Sequence, residues 1–453
     1  MTKLNNPKSS KTKLRSTLKG RIQKSKPVRN GISKRKDAGD ESISADDSLV
    51  VKKRPSKGEL KLVIETLKKD PTLLVVRKTL KYVPYYLKSE GLTKKLLKEV
   101  IRLWSESSEK IRVICLLCLI RIYTKLKDSE KKQLVIKKLH TTFLEKCRIT
   151  KYETMSMIGF MRHSLIELYK LDPKIAFKQA QTSCQQLAIS LKNATTHKNE
   201  ETYKSVLNWQ FANCLILLSQ LITSQGSESS VKSLSHQVIQ LNLGAINLLM
   251  SPRYYPFYCH LIENLIHLSI SENVFIPILP MITTILKRIE MPLDRKLEKL
   301  KKGPLKQNGS EEHEEDIEEE KKEYNIELLN HVSLDEAHSH DYSLAVLDKL
   351  YELCLLYLSS QCHRIAFPEL VFLPCVNLKK WLKKNPGSPT QKFRSLMEKI
   401  KSDCERIEES RKSVDFSFSD YNAVDAWEKK MKDSNKLCLP KLYEKFKETE
   451  DGK

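Results

Sequence analysis

The chain has 453 residues, 40% of them hydrophobic, and a formal net charge of +24. It carries only 12 glycines, and we find no glycine-rich phosphate loop, dinucleotide fingerprint or nucleophile elbow in it. The sequence therefore predicts a protein that is not an enzyme, with no catalytic residue, metal or cofactor. The positive charge instead favours a polyanionic partner such as a nucleic acid.

The cysteines and the apolar runs indicate in which cellular compartment the protein resides. Eleven cysteines are spread without regular spacing, and the N-terminus is polar and basic, which predicts a reducing compartment, nucleus or cytosol. Cys115 and Cys118 form a CxxC inside an apolar run without a second ligand pair, so core packing is favoured over zinc binding. The longest apolar run, residues 113–120, is shorter than the roughly 18 residues of a membrane span, and no membrane partner is expected.

Residues 1–58 are predicted to be a disordered basic tail. The first 36 residues hold 13 Lys or Arg and no acidic residue. Such clusters suit a nuclear import receptor as well as nucleic-acid phosphates, and nuclear or nucleolar targeting is favoured over a tail that is merely solvated. The candidate targeting residues are Lys34, Arg35, Lys36, Lys52, Lys53 and Arg54.

From residue 59 to residue 291 the apolar residues follow a helical period, and strand signals are nearly absent. Proline occurs where a first helical turn tolerates it, at Pro71, Pro173 and Pro252. Long helices with short connections predict an all-α fold, an α-solenoid of degenerate HEAT or ARM-like repeats. The predicted helices cover residues 60–69, 71–88, 93–106, 110–126, 129–147, 152–171, 173–192, 201–223, 230–250 and 252–271.

One predicted helix is apolar on several sides. In residues 108–122, Cys115 and Leu119 belong to one apolar stripe, whereas Leu116 and Leu117 lie on other sides. A helix of this kind is expected to be sandwiched between neighbours, as in the inner layer of a solenoid.

A charged segment interrupts the array. Residues 292–324 are first basic and then acidic, with nine acidic residues and two lysines in 311–323, and are predicted to be a disordered linker. Residues 325–432 are predicted to form C-terminal helical repeats and capping helices, and residues 433–453 a short charged tail. The predicted C-terminal helices cover residues 342–360, 368–384, 390–411 and 420–431.

The segment "SPRYYPFYCHLIENL", residues 251–265, permits two interpretations. Its four aromatic rings could stack on nucleic-acid bases. Alternatively, they form the first turns of a helix whose rings are buried between neighbours, with Arg253 and one tyrosine exposed. Burial of most rings is favoured, because an apolar face continues through Leu261, Leu265 and Leu268.

Several segments resemble the nucleolar complex protein 2 family. They include "FMRHSLIELYKLD" (160–172), the run at 186–215 ending in "NWQFANCL", "RYYPFYCHLIENLIHLS" (253–269), "FIPILP" (275–280), "IAFPELV" (365–371) and "SVDFSFSDYNAVDAWE" (413–428). The resemblance covers roughly residues 92–430 without the linker. It implies a non-enzymatic helical-repeat scaffold in the nucleolus that acts on precursors of the large (60S) ribosomal subunit, paired with nucleolar complex protein 1 or 3.

Departures from the family pattern leave two alternatives open, a general family member and a divergent paralog. Phe257 and Tyr258 stand where the family carries a leucine and a basic residue, and His163 stands where an asparagine is expected. The N-terminal part is also shorter than is usual for the family.

The first hypothesis is a nucleolar scaffold that contacts a second helical-repeat protein and precursor ribosomal RNA. The alternative is a nuclear adaptor for histones or transcription factors, suggested by the acidic tract; a transport-receptor-like solenoid is a third interpretation. The exposed members of the "RYYP" and "FPEL" segments and a lysine pair are the candidate partner or RNA contacts: Arg253, Tyr254, Tyr255, Phe367, Glu369, Lys379 and Lys380.

Overall fold

The computed structural model describes residues 54–226, 229–289 and 322–451. Within these ranges the fold is all-α, with short 3-10 turns and no strand, as the sequence predicts. The targeting residues Lys34, Arg35, Lys36, Lys52 and Lys53, and nearly all of the predicted linker, lie outside the described residues. Arg54, the first described residue, is exposed.

The first six helices follow the predicted order, with ends that differ by a few residues. Local capping explains two of the starts. The hydroxyl of Ser56 accepts a hydrogen bond from the Glu59 N–H, and the carboxylate of Asp128 accepts one from the Glu130 N–H. These helices are α1 (Lys57–Lys69), α2 (Leu73–Tyr86), α3 (Glu90–Glu106), α4 (Glu109–Lys125), α5 (Ser129–Lys146) and α6 (Tyr152–Lys170).

The next six helices include two departures from the predicted set. The single helix predicted over residues 201–223 is two helices, because Leu207 leaves the helical conformation and Asn208 then caps a new helix by accepting from the Phe211 N–H at 2.9 Å. The last helix of this group was not predicted. The six are α7 (Pro173–His197), α8 (Glu200–Val206), α9 (Trp209–Thr223), α10 (Ser235–Leu248), α11 (Tyr255–Glu272) and α12 (Ile278–Arg288).

The chain continues after residue 322 with five further helices. The last of them lies where the sequence analysis placed a short charged tail. Its apolar residues face the fold: Leu439 is fully buried, and the Phe446 ring lies 6.0 Å from the Tyr351 ring. These helices are α13 (His340–Gln361), α14 (Phe367–Lys384), α15 (Gln391–Arg411), α16 (Tyr421–Asp433) and α17 (Cys438–Asp451).

The core lies between helices that are near neighbours in the chain. The helix α4 packs on α2 and α3, α7 packs on α10, and α9 packs on α11. Past the charged segment, α11 packs on α13, α12 on α14, and α13 on α17. Among the described helices, the main contacts thus join elements no more than four positions apart, and the buried residues form one continuous cluster.

The helix α4 has an apolar exposed side. Cys115 and Leu119 are fully buried against the neighbouring helices, but Val113 and Leu117 are 43% and 47% exposed. The helix lies between α2, α3 and α6, and Ile114 and Leu116 pack against the core. Val113 and Leu117, one helical turn apart, form a narrow apolar strip that the described neighbours leave uncovered.

One described stretch, Glu200–Thr223, is long and apolar enough to cross a membrane by composition. It is divided into α8 and α9, and 67% of its most apolar 18-residue segment is buried inside the fold. Its apolar residues belong to the helical core, which accounts for this composition.

Candidate interaction sites

The aromatic segment at the start of α11 is part of the core. Tyr255, Phe257 and Tyr258 are at most 3% exposed, and Tyr254 is 9% exposed. The rings contact one another, with 6.0 Å between the centroids of Phe257 and Tyr258. The structure confirms the predicted burial of most rings, but the expectation that one tyrosine stays exposed was wrong. Tyr254 and Tyr255 present no open ring face on which a base could stack.

Arg253 is half-buried and ties two distant parts of the chain together. Its Nε donates a hydrogen bond to the Val332 carbonyl at 2.8 Å, and its own carbonyl accepts from the Val332 N–H at 3.1 Å. The guanidinium also lies 5.8 Å from the Tyr254 ring centroid. The residues that follow the charged segment are thereby held against the start of α11.

Phe367 and Glu369, at the start of α14, have structural contacts. Phe367 is fully buried. Glu369 is exposed, and its two carboxylate oxygens accept from the two terminal nitrogens of Arg411 at 2.7 and 2.6 Å. The hydrogen bonds from Arg411 lower the pKa of Glu369. This pair links α14 to the end of α15 through a bidentate geometry.

Lys379 and Lys380 are exposed on α14, and neither forms an ion pair within the described ranges. Lys379 lines a groove of about 540 Å³ between α14 and α15, with Arg394 and Lys401 also along it. At the rim of the groove, Phe372 is 70% exposed. The groove therefore combines an apolar surface with a basic border, although Glu398 and Glu408 contribute negative charge.

A second site is a cavity of about 280 Å³ whose walls come mainly from α6, α9 and α11. Most of its surface is apolar, and we call it the polar cavity after the charged and amide side chains in its walls. Among the residues that each helix contributes are two that lie four positions apart, one turn of helix on the same face. The Trp209 and His260 rings lie 4.8 Å apart, and the His260 ring nitrogen Nε2 lies 2.9 Å from the Leu329 carbonyl. The three pairs are Ile158 and Arg162, Trp209 and Asn213, and His260 and Asn264.

Arg162 is the cation of this cavity. Its nearest polar contact is long, 3.5 Å from Nη1 to Asn213 Oδ1. Its Nε is buried without a hydrogen-bond partner, and burial lowers the pKa of the guanidinium. No carboxylate of the described residues forms an ion pair with it. An unpartnered buried donor is unfavourable, which makes this group a candidate to bind a ligand.

The other side of the cavity is acidic. Glu263 and Glu327 line it, and both contact Lys349, at 3.5 and 3.3 Å. Lys349 also pairs with Glu352 at 3.0 Å, so three carboxylates share one buried ammonium. Burial raises the pKa of Glu263, but His267 and Lys349 outweigh it and hold the pKa at about 2. The cavity is therefore cationic at Arg162 and anionic at Glu263.

The first cysteine of the CxxC is a core residue rather than a reactive or metal-binding thiolate. Cys115 is fully buried, and burial raises the pKa of its thiol to about 12. The thiol is therefore protonated at neutral pH, whereas nucleophiles and metal ligands need the thiolate. In the described ranges no group of three or more His, Cys, Asp or Glu side chains has the arrangement of a metal site.

No motif in the sequence marks Arg162, Asn213 or Asn264 as site residues. Their segments are among those that resemble the nucleolar complex protein 2 family, and the fold brings these three segments to one cavity. The available signal was the shared spacing of an aromatic or apolar residue followed, four positions later, by a polar one. Only the packing of α6, α9 and α11 shows that the three pairs face each other.

Comparison with known proteins decides the family. The model of the Noc2p family matches residues 130–446, which include every wall of the polar cavity and the groove. The chain belongs to the Noc2p family. The first part of the described fold, α1 to α4, precedes the matched residues.

Individual relatives agree with this family. The chain is 28% identical over 345 residues to nucleolar complex protein 2 of Drosophila melanogaster, covering 76% of this chain and 42% of the relative. It is 25% identical to Protein REBELOTE (74% and 52%) and 22% identical to nucleolar complex-associated protein 2 (74% and 41%), both of Arabidopsis thaliana. The chain thus spans about half or less of the length of these relatives, two of which are named as nucleolar complex proteins rather than as enzymes.

Proposed function

We propose that this chain is a non-enzymatic scaffold of the nucleolus that takes part in the assembly and intranuclear transport of large (60S) ribosomal subunit precursors. The observation that carries the proposal is the family match over residues 130–446, among whose relatives are proteins named for nucleolar complexes. The groove and the polar cavity described above support this proposal, because both are surfaces on which a partner could bind.

The proposed architecture is an α-solenoid of degenerate HEAT or ARM-like repeats. It is supported by helix contacts that join near neighbours in the chain, which is how repeat arrays bury their apolar faces. The two helical parts, residues 59–291 and 325–432, are proposed to act as one binding body, since α11 packs on α13 and α12 on α14.

The proposed protein partners are helical-repeat proteins of the nucleolar complex protein 1 and 3 types. The groove between α14 and α15 suits such a partner, because an exposed phenylalanine beside an apolar groove is typical of interaction surfaces. Precursor ribosomal RNA is the proposed second partner, with the exposed Lys379 and Lys380 as contacts. A nuclear import receptor is proposed to bind the basic tail.

The experiment is a tagged purification of the full chain, divided into ribonuclease-treated and untreated halves, with proteins and RNA identified in both. The proposal predicts large-subunit precursor RNA in the untreated half and a nucleolar complex protein that survives treatment. Recovery of histones or transcription factors alone, without precursor RNA, would contradict it and support the nuclear adaptor.

A further inference from the structure

The polar cavity between α6, α9 and α11 has in its walls one hydrogen-bond donor and one hydrogen-bond acceptor that lack a partner. On the donor side is Arg162, whose Nε is buried without a partner. On the acceptor side is Gln220, whose Oε1 is also buried without a partner and lines the same cavity. Buried polar atoms normally find partners, so a pair of opposite kind in one cavity indicates a ligand that accepts at one point and donates at another.

The arginine end suits a carboxylate. A guanidinium offers its N–H groups as a planar fork that matches a carboxylate in a bidentate geometry, as Arg411 already shows with Glu369 in this chain. The long 3.5 Å contact to Asn213 leaves that fork largely unused. The protein's own carboxylates do not use it within the described ranges, because Glu263 is held by Lys349 and His267.

The opposite end disfavours a nucleic-acid backbone. Glu263 and Glu327 line the cavity, and together with Glu352 they share the single ammonium of Lys349. A polyphosphate running past this end would meet excess negative charge. Phosphates also supply no N–H donor for Gln220, whereas a peptide backbone carries one at nearly every residue.

We propose that this cavity receives an Asp or Glu side chain of a partner protein, whose carboxylate binds Arg162 while a backbone N–H of the same segment donates to Gln220. The backbone N–H that reaches Gln220 must be free of hydrogen bonds within the partner, as it is in an extended segment or in the first turn of a helix. The inference rests on the proposed scaffold function only in that the partner is a protein.

A glycine in the cavity wall provides a variant that fills the site without disturbing the fold. Gly159 lines the cavity on α6, three residues before Arg162, and a Cβ added there would meet no atom within 4 Å. Gly91 on α3 has the same open surroundings and lies outside the cavity lining. Gly159→Leu should therefore occlude the cavity, and Gly91→Leu is its matched control. Neither should destabilise the chain, because leucine is a better helix former than glycine.

The test begins by locating the partner. A photo-crosslinking benzoylphenylalanine replaces Met155, a partly exposed lining residue, in the full chain in its native cells. The proposal predicts a crosslink to a protein segment that contains Asp or Glu within a few residues of the crosslinked position. A crosslink to RNA, a crosslink to a segment without an acidic residue, or no crosslink at all would overturn it.

The captured protein is then purified, and its affinity for variants of the full chain is measured. Gly159→Leu and Arg162→Gln should each weaken binding by about tenfold or more, as expected for a charged pair in a partly desolvated site. Gly91→Leu and Arg77→Gln, the latter at an exposed arginine of α2, should leave binding unchanged. Changing the captured acidic residue to its amide should weaken binding to the unmodified chain but not to Arg162→Gln.

These measurements separate the cavity from the scaffold function. If the acidic segment belongs to a protein outside ribosome assembly, the cavity proposal holds and the proposed function fails. If an assembly protein is captured but binds Arg162→Gln and Gly159→Leu as tightly as the unmodified chain, the cavity proposal fails and the proposed function is unaffected.

Discussion

The buried carboxylate of Asp403 on α15 caps the last helix of the chain by accepting hydrogen bonds from the Cys438 N–H at 2.7 and 3.0 Å. It also accepts from the Leu439 N–H at 2.9 Å. A carboxylate at a helix N-terminus satisfies orphan backbone donors and interacts favourably with the helix dipole. Asp403 is fully buried, so α17 is an integral element of the C-terminal part rather than an appended tail.

We expect Asp403→Ala to lower the free energy of unfolding by roughly 2 kcal/mol, because it removes the cap and leaves buried N–H groups without partners. The measurement is chemical denaturation of the full chain. Asp415→Ala, at an exposed aspartate after α15, is the control and should change stability by less than about 0.5 kcal/mol. Equal stability of the two variants would show that α17 does not depend on this cap.

Substitution of two phenylalanines, one buried and one exposed, distinguishes an effect on stability from an effect on partner binding. Phe257 is fully buried and Phe372 is 70% exposed. Phe257→Ala should cost about 3–5 kcal/mol of stability through reduced burial and the cavity left behind. Phe372→Ala should leave stability within about 0.5 kcal/mol but weaken association with the protein partner proposed for the groove. Thermal unfolding and affinity measurements on both variants check this, and an unstable Phe372→Ala would contradict the assignment.

Because His140 is buried as a neutral ring, we predict that the protein loses stability in mild acid. It is 4% exposed, its ring nitrogens lie within 3.1 Å of the hydroxyls of Tyr169 and Ser183, and burial lowers its pKa from 6.5 to about 4. The unfolded chain therefore binds this proton first as the pH falls. The stability that His140 provides is complete above pH 6.5 and is lost between pH 6.5 and about 4.

Between pH 7 and pH 5, His140 should account for a decrease of about 2 kcal/mol in the free energy of unfolding. His140→Gln should remove that part of the pH dependence. The half-buried His260 and His363, whose pKa values desolvation also lowers, retain their own contributions. His236→Gln, at an exposed histidine, is the control. Identical pH dependence in His140→Gln and the unmodified chain would contradict the prediction.

The exposed lysine pair on α14 is predicted to contribute to RNA association. Reversing Lys379 and Lys380 to glutamate should weaken RNA association and reduce its salt dependence, by a slope of about 0.7 for each phosphate of single-stranded RNA that these lysines neutralise. Reversing the exposed pair Lys137 and Lys138 on α5 changes the net charge equally and is the control. Equal weakening in both would indicate a general charge effect rather than specific binding at α14.

Arg253 should behave differently from these lysines. Its side chain donates one of the two hydrogen bonds to Val332, and Arg253→Ala removes that one, so stability should fall by about 1–3 kcal/mol. Limited proteolysis near residue 332 together with denaturation measures this. A variant with unchanged stability and weaker RNA binding would instead support the surface contact inferred from sequence.

The all-α class, most helix positions and the burial of the aromatic segment could be predicted from sequence, because helical periodicity and proline at helix starts are local signals. The division at Asn208 could not, since a capping asparagine inside an apolar helical run has no distinct pattern. The start of α17 depends on Asp403, 35 residues away. The polar cavity could not be predicted from local sequence patterns either, because Arg162 and Asn264 line one cavity only through the packing of α6, α9 and α11.

The proposed function makes this chain a participant in the assembly of the large ribosomal subunit. The most direct test is to deplete the chain and measure both ribosomal subunits and their precursor RNAs on a sucrose gradient. We expect large subunits to fall and large-subunit precursors to change while small subunits are maintained, with restoration by the unmodified chain. Normal large subunits after complete depletion would contradict it.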